Sequence, residues 1–149
     1  QQIIDLIGNP KDYEGIVFCG YGEPTLRLKP MLEIAHWVKS QGGKTRLNTD
    51  GLGSLVNKRN ILPELSECID ALSISLNAQN EAIYIRHCQP VLKGSYDAML
   101  EFITQAPEYI SDVSASAING LEGVDVEACK ELAEARNVTF KQRELDVVG

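Results

Sequence analysis

Three short segments carry side chains able to recognise a small polar ligand. The first, Gly20-Tyr21-Gly22-Glu23-Pro24-Thr25, sets two glycines ahead of a carboxylate and a proline. Glycine lets a backbone take positive φ and come close to a ligand, and Pro24 stiffens the turn beside Glu23. Asn48, Thr49, Asp50 and Gly51 form the second segment, and Ser75 with Asn77 the third. Small amides, hydroxyls and carboxylates of this kind suit the recognition of hydroxyls and amines. Each residue also has a plainer role. Glu23 can cap the next turn or pair with Arg27, Asp50 can form a turn before Gly51, and Ser75 and Asn77 can close loops. Glu23 and Asp50 are also an acid–base pair that a barrel hydrolase or aldolase could use. That chemistry finds no lysine in these segments for a Schiff base and no well-placed histidine for metal hydrolysis.

Metal chemistry has little to draw on. Cysteines stand at 19, 68, 88 and 129, and none forms a CxxC or CxxxCxxC group. His87 and Cys88 are adjacent, so on a helix they face different ways. Cys19 follows Phe18 in an apolar run and is expected as a small buried hydrophobe, with Cys68 and Cys129 as bystanders on helices. Arg86, Lys141 and Arg143 could meet a substrate, although charges at the ends of elements are usually solvated, and His36 is expected to face solvent. Without a secreted-type cysteine framework, reduced thiols and a cytoplasmic location are the expectation.

The elements that must position these residues alternate along the chain. Residues 15–20, 44–49, 70–77, 111–118 and 137–144 are short runs rich in apolar and β-branched residues, as strands are. Between them lie helical patterns. Met31, Ile34, Ala35 and Val38 share one face and stop at Gly42 and Gly43, and 125–136 repeats the pattern. A short helix is expected before Asp70, and one broken or two successive helices between 80 and 110. The opening QQIIDLIG is helical too, so a strand is expected to precede it. Strictly alternating β and α elements give a parallel sheet with right-handed crossovers. Every strand then ends on one rim, where ligands gather. All three polar segments follow strands. The 149 residues suffice for one domain, here 1–149. A net charge of −7 argues against a broad nucleic-acid contact, and no apolar run is long enough for a membrane span.

With these residues in place, the string VFCGYGEPTLRL resembles the GGEP motif of the radical SAM (S-adenosyl-L-methionine) superfamily, in its GxGEP form. NTDG is similar to the end of that family's third strand and SISLNA to its fourth. The wording resembles the small TatD-linked radical SAM proteins in particular. The resemblance implies that Gly20, Tyr21, Gly22, Glu23 and Pro24 hold the methionyl amino group of SAM. It gives Asn48 and Asp50 the polar positions of the next strand, and Ser75 and Asn77 those facing the ribose. Residues 118–125 occupy the place of a loop near adenine. It further implies a 4Fe-4S cluster bound by a CxxxCxxC loop, an external electron donor and an unidentified protein or small-molecule substrate. That loop is absent from this sequence. The expectation is therefore a partial, open parallel β/α barrel lacking its first βα unit, TIM-barrel-like, inactive alone. The rival expectation is a non-redox β/α domain binding a nucleotide or phosphate.

Overall fold

In the computed structural model, which describes residues 2–19 and 23–145, five strands join one sheet in chain order. They are β1 (Ile16–Phe18), β2 (Thr45–Thr49), β3 (Ala71–Ser75), β4 (Asp112–Asn119) and β5 (Thr139–Glu144). All four pairings are parallel. Helices occupy the crossovers: α1 (Gln2–Ile7) precedes β1, and α2 (Leu28–Ser40) leads to β2. Two short helices, α3 (Gly53–Asn57) and α4 (Leu62–Ser66), lead to β3. The segment expected as one broken helix or two is two: α5 (Glu81–Cys88) and α6 (Ser95–Gln105). The last helix, α7 (Val126–Ala135), leads to β5. No described helix is long and apolar enough to cross a membrane.

The period of two sorts the strand residues into unlike faces. Leu47, Leu72 and Val113 lie side by side across β2, β3 and β4, all buried. With Ile74 and Ala115 they pack against apolar stripes of the helices. On α2 that stripe is Leu28, Met31, Ala35 and Val38, spaced three and four apart, with Ile34 at its flank. On α6 it is Tyr96, Met99, Phe102 and Ile103. The opposite face reads Asn48, Ser73, Ser114 and Thr139 across four strands. A sheet covered by helices on both faces would be apolar on both. This one is covered on one, as in a barrel wall left open.

The open face corrects two expectations. The run around Phe18 gives a strand of three residues that is only half buried, with Val17 48% exposed. Cys19 is exposed rather than buried. β1 has one strand neighbour among the described residues, and its odd-numbered side chains face away from the helices.

At the opposite end from the rim, Asp70 ties β2 to β3. Its Oδ2 accepts the Thr45 amide at 2.9 Å and its Oδ1 accepts Lys39 Nζ at 2.8 Å. Burial works against the Asp70 charge, but Lys39 and Thr45 outweigh it and hold the carboxyl below its ordinary range.

Candidate functional site

Glu23 organises the rim. It caps the 3₁₀ turn Pro24–Arg27, with Pro24 at the first position where a missing N–H costs nothing. Its Oε2 accepts the Thr25 amide at 3.1 Å, Thr25 Oγ1 at 2.5 Å and Thr49 Oγ1 at 2.7 Å. Its Oε1 accepts the Asp50 amide at 2.7 Å. One carboxylate therefore clasps the loop after β1 to the loop after β2. Thr49 Oγ1 accepts the Gly51 amide at 3.1 Å in turn, and Asp50 Oδ1 accepts the Leu52 amide at 2.9 Å. Charge-assisted bonds to backbone donors are among the stronger kinds, so these two loops are fixed before any ligand arrives. The cap foreseen for Glu23 exists, and the bridge to β2 comes with it.

Asp50 sits against this clasp. Burial, and then the negative charge of Glu23, push its carboxyl up to about 6. A raised carboxyl penalises the folded state wherever it is ionised there. The penalty is complete above about 6, shrinks as pH falls, and vanishes below the ordinary value of 3.8. Asp50→Asn keeps the acceptor for Leu52 and removes the charge. Its melting temperature should exceed the parent's at pH 8 by several degrees and converge with it near pH 4. Parallel thermal melts across that window check the sign. An advantage that grew on acidification would contradict the assignment.

The two loops border an open cleft of about 490 Å³ lined by Cys19, Glu23, Pro24, Asn48, Asp50 and Ser75, with Thr49 and Arg143. Four strands contribute to it, all from the end that parallel β/α folds use for ligands. Within the described residues no hydrogen bond engages the side chains of Asn48 or Ser75. They present an amide and a hydroxyl to the cleft. Asn77 goes elsewhere. Its φ is +69°, and its Nδ2 reaches Cys88 Sγ at 3.4 Å. It lines an adjoining cavity of about 380 Å³ that shares Glu23 and Asp50 with the cleft. Gly20, Tyr21 and Gly22 lie outside the described residues.

Arg143, one of the charges that the sequence left as a possible substrate contact, borders the cleft, and Cys19 is exposed against expectation. Both follow from strand parity: Phe140 faces the helices, so Lys141 and Arg143 must face the other way.

No family model matches the sequence, and no curated protein matches it. Solved structures do. The structure of TYW1 with a lysine-pyruvate adduct bound superposes with a TM-score of 0.71 at 22% identity, over 99% of this chain and 48% of that one. An archaeal TYW1 superposes at 0.63 with 20% identity, over 95% of this chain and 48% of that one. A domain of pyruvate-formate lyase-activating enzyme from Bacteroides vulgatus gives 0.54 at 13%, over 87% and 99%. These are radical SAM enzymes. The fold is one this chain shares with them. At such identities the likeness is one of fold, and it agrees with the resemblance carried by the rim motifs. The chain spans about half the length of the TYW1 chains it matches.

The resemblance of the rim motifs implies two cofactors, and the residues here suit them unequally. An adenosyl ligand needs a cleft of a few hundred Å³ with free hydrogen-bonding groups, and the cleft beside Asn48 and Ser75 offers both. An iron–sulfur cluster needs gathered thiolates. Cys68 and Cys129 are buried apart from the rim and Cys88 is half-buried against Asn77. No group of three metal-ligating side chains occurs among the described residues. The four cysteines of this chain do not fit a cluster.

Proposed function

We propose that this chain forms the SAM-holding part of a radical SAM enzyme. The observation that carries the reading is the convergence of Glu23, Asn48, Asp50 and Ser75 on one cleft, at the ends of three consecutive strands. In the radical SAM proteins, SAM supplies on reduction an adenosyl radical that abstracts hydrogen from a substrate. This chain's residues have a narrower task, which is to bind and orient the cofactor. Asn48 and Ser75 would meet the ribose hydroxyls. Glu23 would act through the loop rather than on the ligand, because its oxygens are already taken by Thr25, Thr49 and Asp50. The backbone of Gly20, Tyr21 and Gly22 would receive the methionyl amine. Asn77 would then serve as a turn former behind Ser75 and not as a ribose contact. The cluster would be held by cysteines other than these four. The substrate and its product belong to the whole enzyme.

Binding of S-adenosylhomocysteine, followed by titration calorimetry, tests the cofactor reading without needing turnover. The chain should bind it, and Asn48→Ala with Ser75→Ala together should weaken binding at least about tenfold, as loss of two neutral hydrogen bonds would. Among the described residues both side chains lack partners, so the melting temperature should stay put. Equal affinity in the double variant would remove the rim cleft from consideration.

A further inference from the structure

Below the rim cleft the open sheet face continues as a second cavity of about 480 Å³, lined by Arg46, Ser73, Ser75, Ser116, Lys141 and Arg143 among others. We propose that this face binds an oxyanion, the carboxylate or phosphate of a substrate seated beneath the cofactor. The inference rests on the cofactor reading only for the word substrate. The anion site itself stands on four observations.

First, the face is not a hydrophobic core. Closed barrels fill their interior with branched apolar side chains. Here, strand by strand, Asn48, Ser73, Ser114 and Thr139 make one row, and Ser75, Ser116 and Lys141 the next. Second, two of its three cations, Lys141 and Arg143, have no ion pair among the described residues, in a chain of net charge −7. Among the described residues no carboxylate lies within ion-pair reach of Lys141 or Arg143. The one carboxylate in register on this face is Asp112, at its far end, 3.9 Å from Arg46. Third, Lys141 and Arg143 project from the same side of β5, roughly 7 Å apart along the strand, so a shared counter-anion relieves their repulsion. Fourth, Ser114 is 2% exposed and its Oγ has no partner, a buried donor on this same face. Point charges flanked by hydroxyl donors are how proteins take up carboxylates and phosphates.

The cofactor's own carboxylate is the other possible source of that chemistry, and position separates the two. Asn48, Ser75 and Arg143 border both cavities, whereas Lys141 and Ser116 border only the lower one. Lys141 is therefore the residue to change. The chain is titrated with inorganic phosphate and with malonate while backbone amide resonances are followed, alone and with saturating S-adenosylhomocysteine. Shifts centred on Ser73, Ser116 and Lys141 are expected, persisting with S-adenosylhomocysteine present. Lys141→Gln should weaken the anion about tenfold, Lys141→Arg should restore it, and both should leave S-adenosylhomocysteine affinity unchanged. Competition between S-adenosylhomocysteine and the anions would overturn the substrate assignment, because the charge recognised would be the cofactor's. Equal anion affinity in parent and Lys141→Gln would overturn the site. Anion binding in a chain that ignores S-adenosylhomocysteine would uphold the site while the cofactor reading fell.

Discussion

Glu23→Ala should unfasten the rim and cost the chain about 3 kcal/mol, on the order of a 10 °C fall in melting temperature for a domain of this size. The magnitude follows from what the alanine leaves behind. Four donors lose their acceptor at once: the Thr25 and Asp50 amides and the hydroxyls of Thr25 and Thr49. Thr25 and Thr49 are buried, so water does not readily replace the carboxylate. An unsatisfied buried donor costs about 1–3 kcal/mol, and partial hydration of the Asp50 amide tempers the sum. Affinity for S-adenosylhomocysteine should fall with stability, since the loops after β1 and β2 would no longer hold their positions. Glu23→Gln separates charge from shape: it keeps a carbonyl for the threonines and should land between parent and alanine. Removing the Glu23 charge should also let the Asp50 carboxyl fall from about 6, because that charge is one of the two main causes of its rise. Melts and a carboxyl-resolved NMR titration read both effects. An alanine variant with parental stability would mean the clasp contributes nothing.

A loss of comparable size is expected from Gly51→Ala, for two additive reasons. Gly51 has φ of +79°, a conformation that costs a residue with a Cβ about 1–2 kcal/mol. The added Cβ would also stand 3.0 Å from Ile74 Cγ2 and 3.1 Å from Met99 Cγ. Ile74 and Met99 are fully buried and have no room to retreat, and overpacking of this sort costs about 1–3 kcal/mol more. Together these amount to roughly 2–5 kcal/mol. Chemical denaturation should show a lower midpoint at unchanged slope. Met99→Ala opens a cavity of its own, so the crowding is read from a double-mutant cycle: Gly51→Ala should cost less in the Met99→Ala background than in the parent. An equal cost in both backgrounds would assign the whole effect to the backbone.

The sequence made the alternation of strand and helix plain because each amphipathic stripe repeats at three and four residues, and Gly or Asn closes most turns. The ends of the expected strands also drew attention to Asn48 and Ser75, two small polar residues beside apolar neighbours. What stayed hidden depended on contacts between segments. Nothing near residue 23 announces that Thr49 and Asp50 will converge on its carboxylate, since that meeting requires β1 and β2 to lie side by side. Asn77 stands two residues beyond the end of β3, where a left-handed backbone breaks the alternation and swings its amide toward Cys88. Cys19 looked buried because its neighbours are apolar, but it follows a three-residue edge strand on the side away from the helices, where nothing described covers it. Lys141 and Arg143 read as ordinary solvated charges for the same reason: the bareness of a sheet face is a property of the whole fold.

Since the strands run in chain order, each βα unit touches mainly those before and after it, much as repeats do in a solenoid. Pairing here is thinnest at one margin: three residue pairs join β1 to β2, against five between β3 and β4. The rim cleft straddles that gradient, reaching from β3 at the centre to the three-residue β1 at the margin. A molecule lodged there joins a fraying flank to a quiet middle. Occupancy thus doubles as mechanical support, and the concentration of the bound species becomes one of the variables that set how long β1 stays docked.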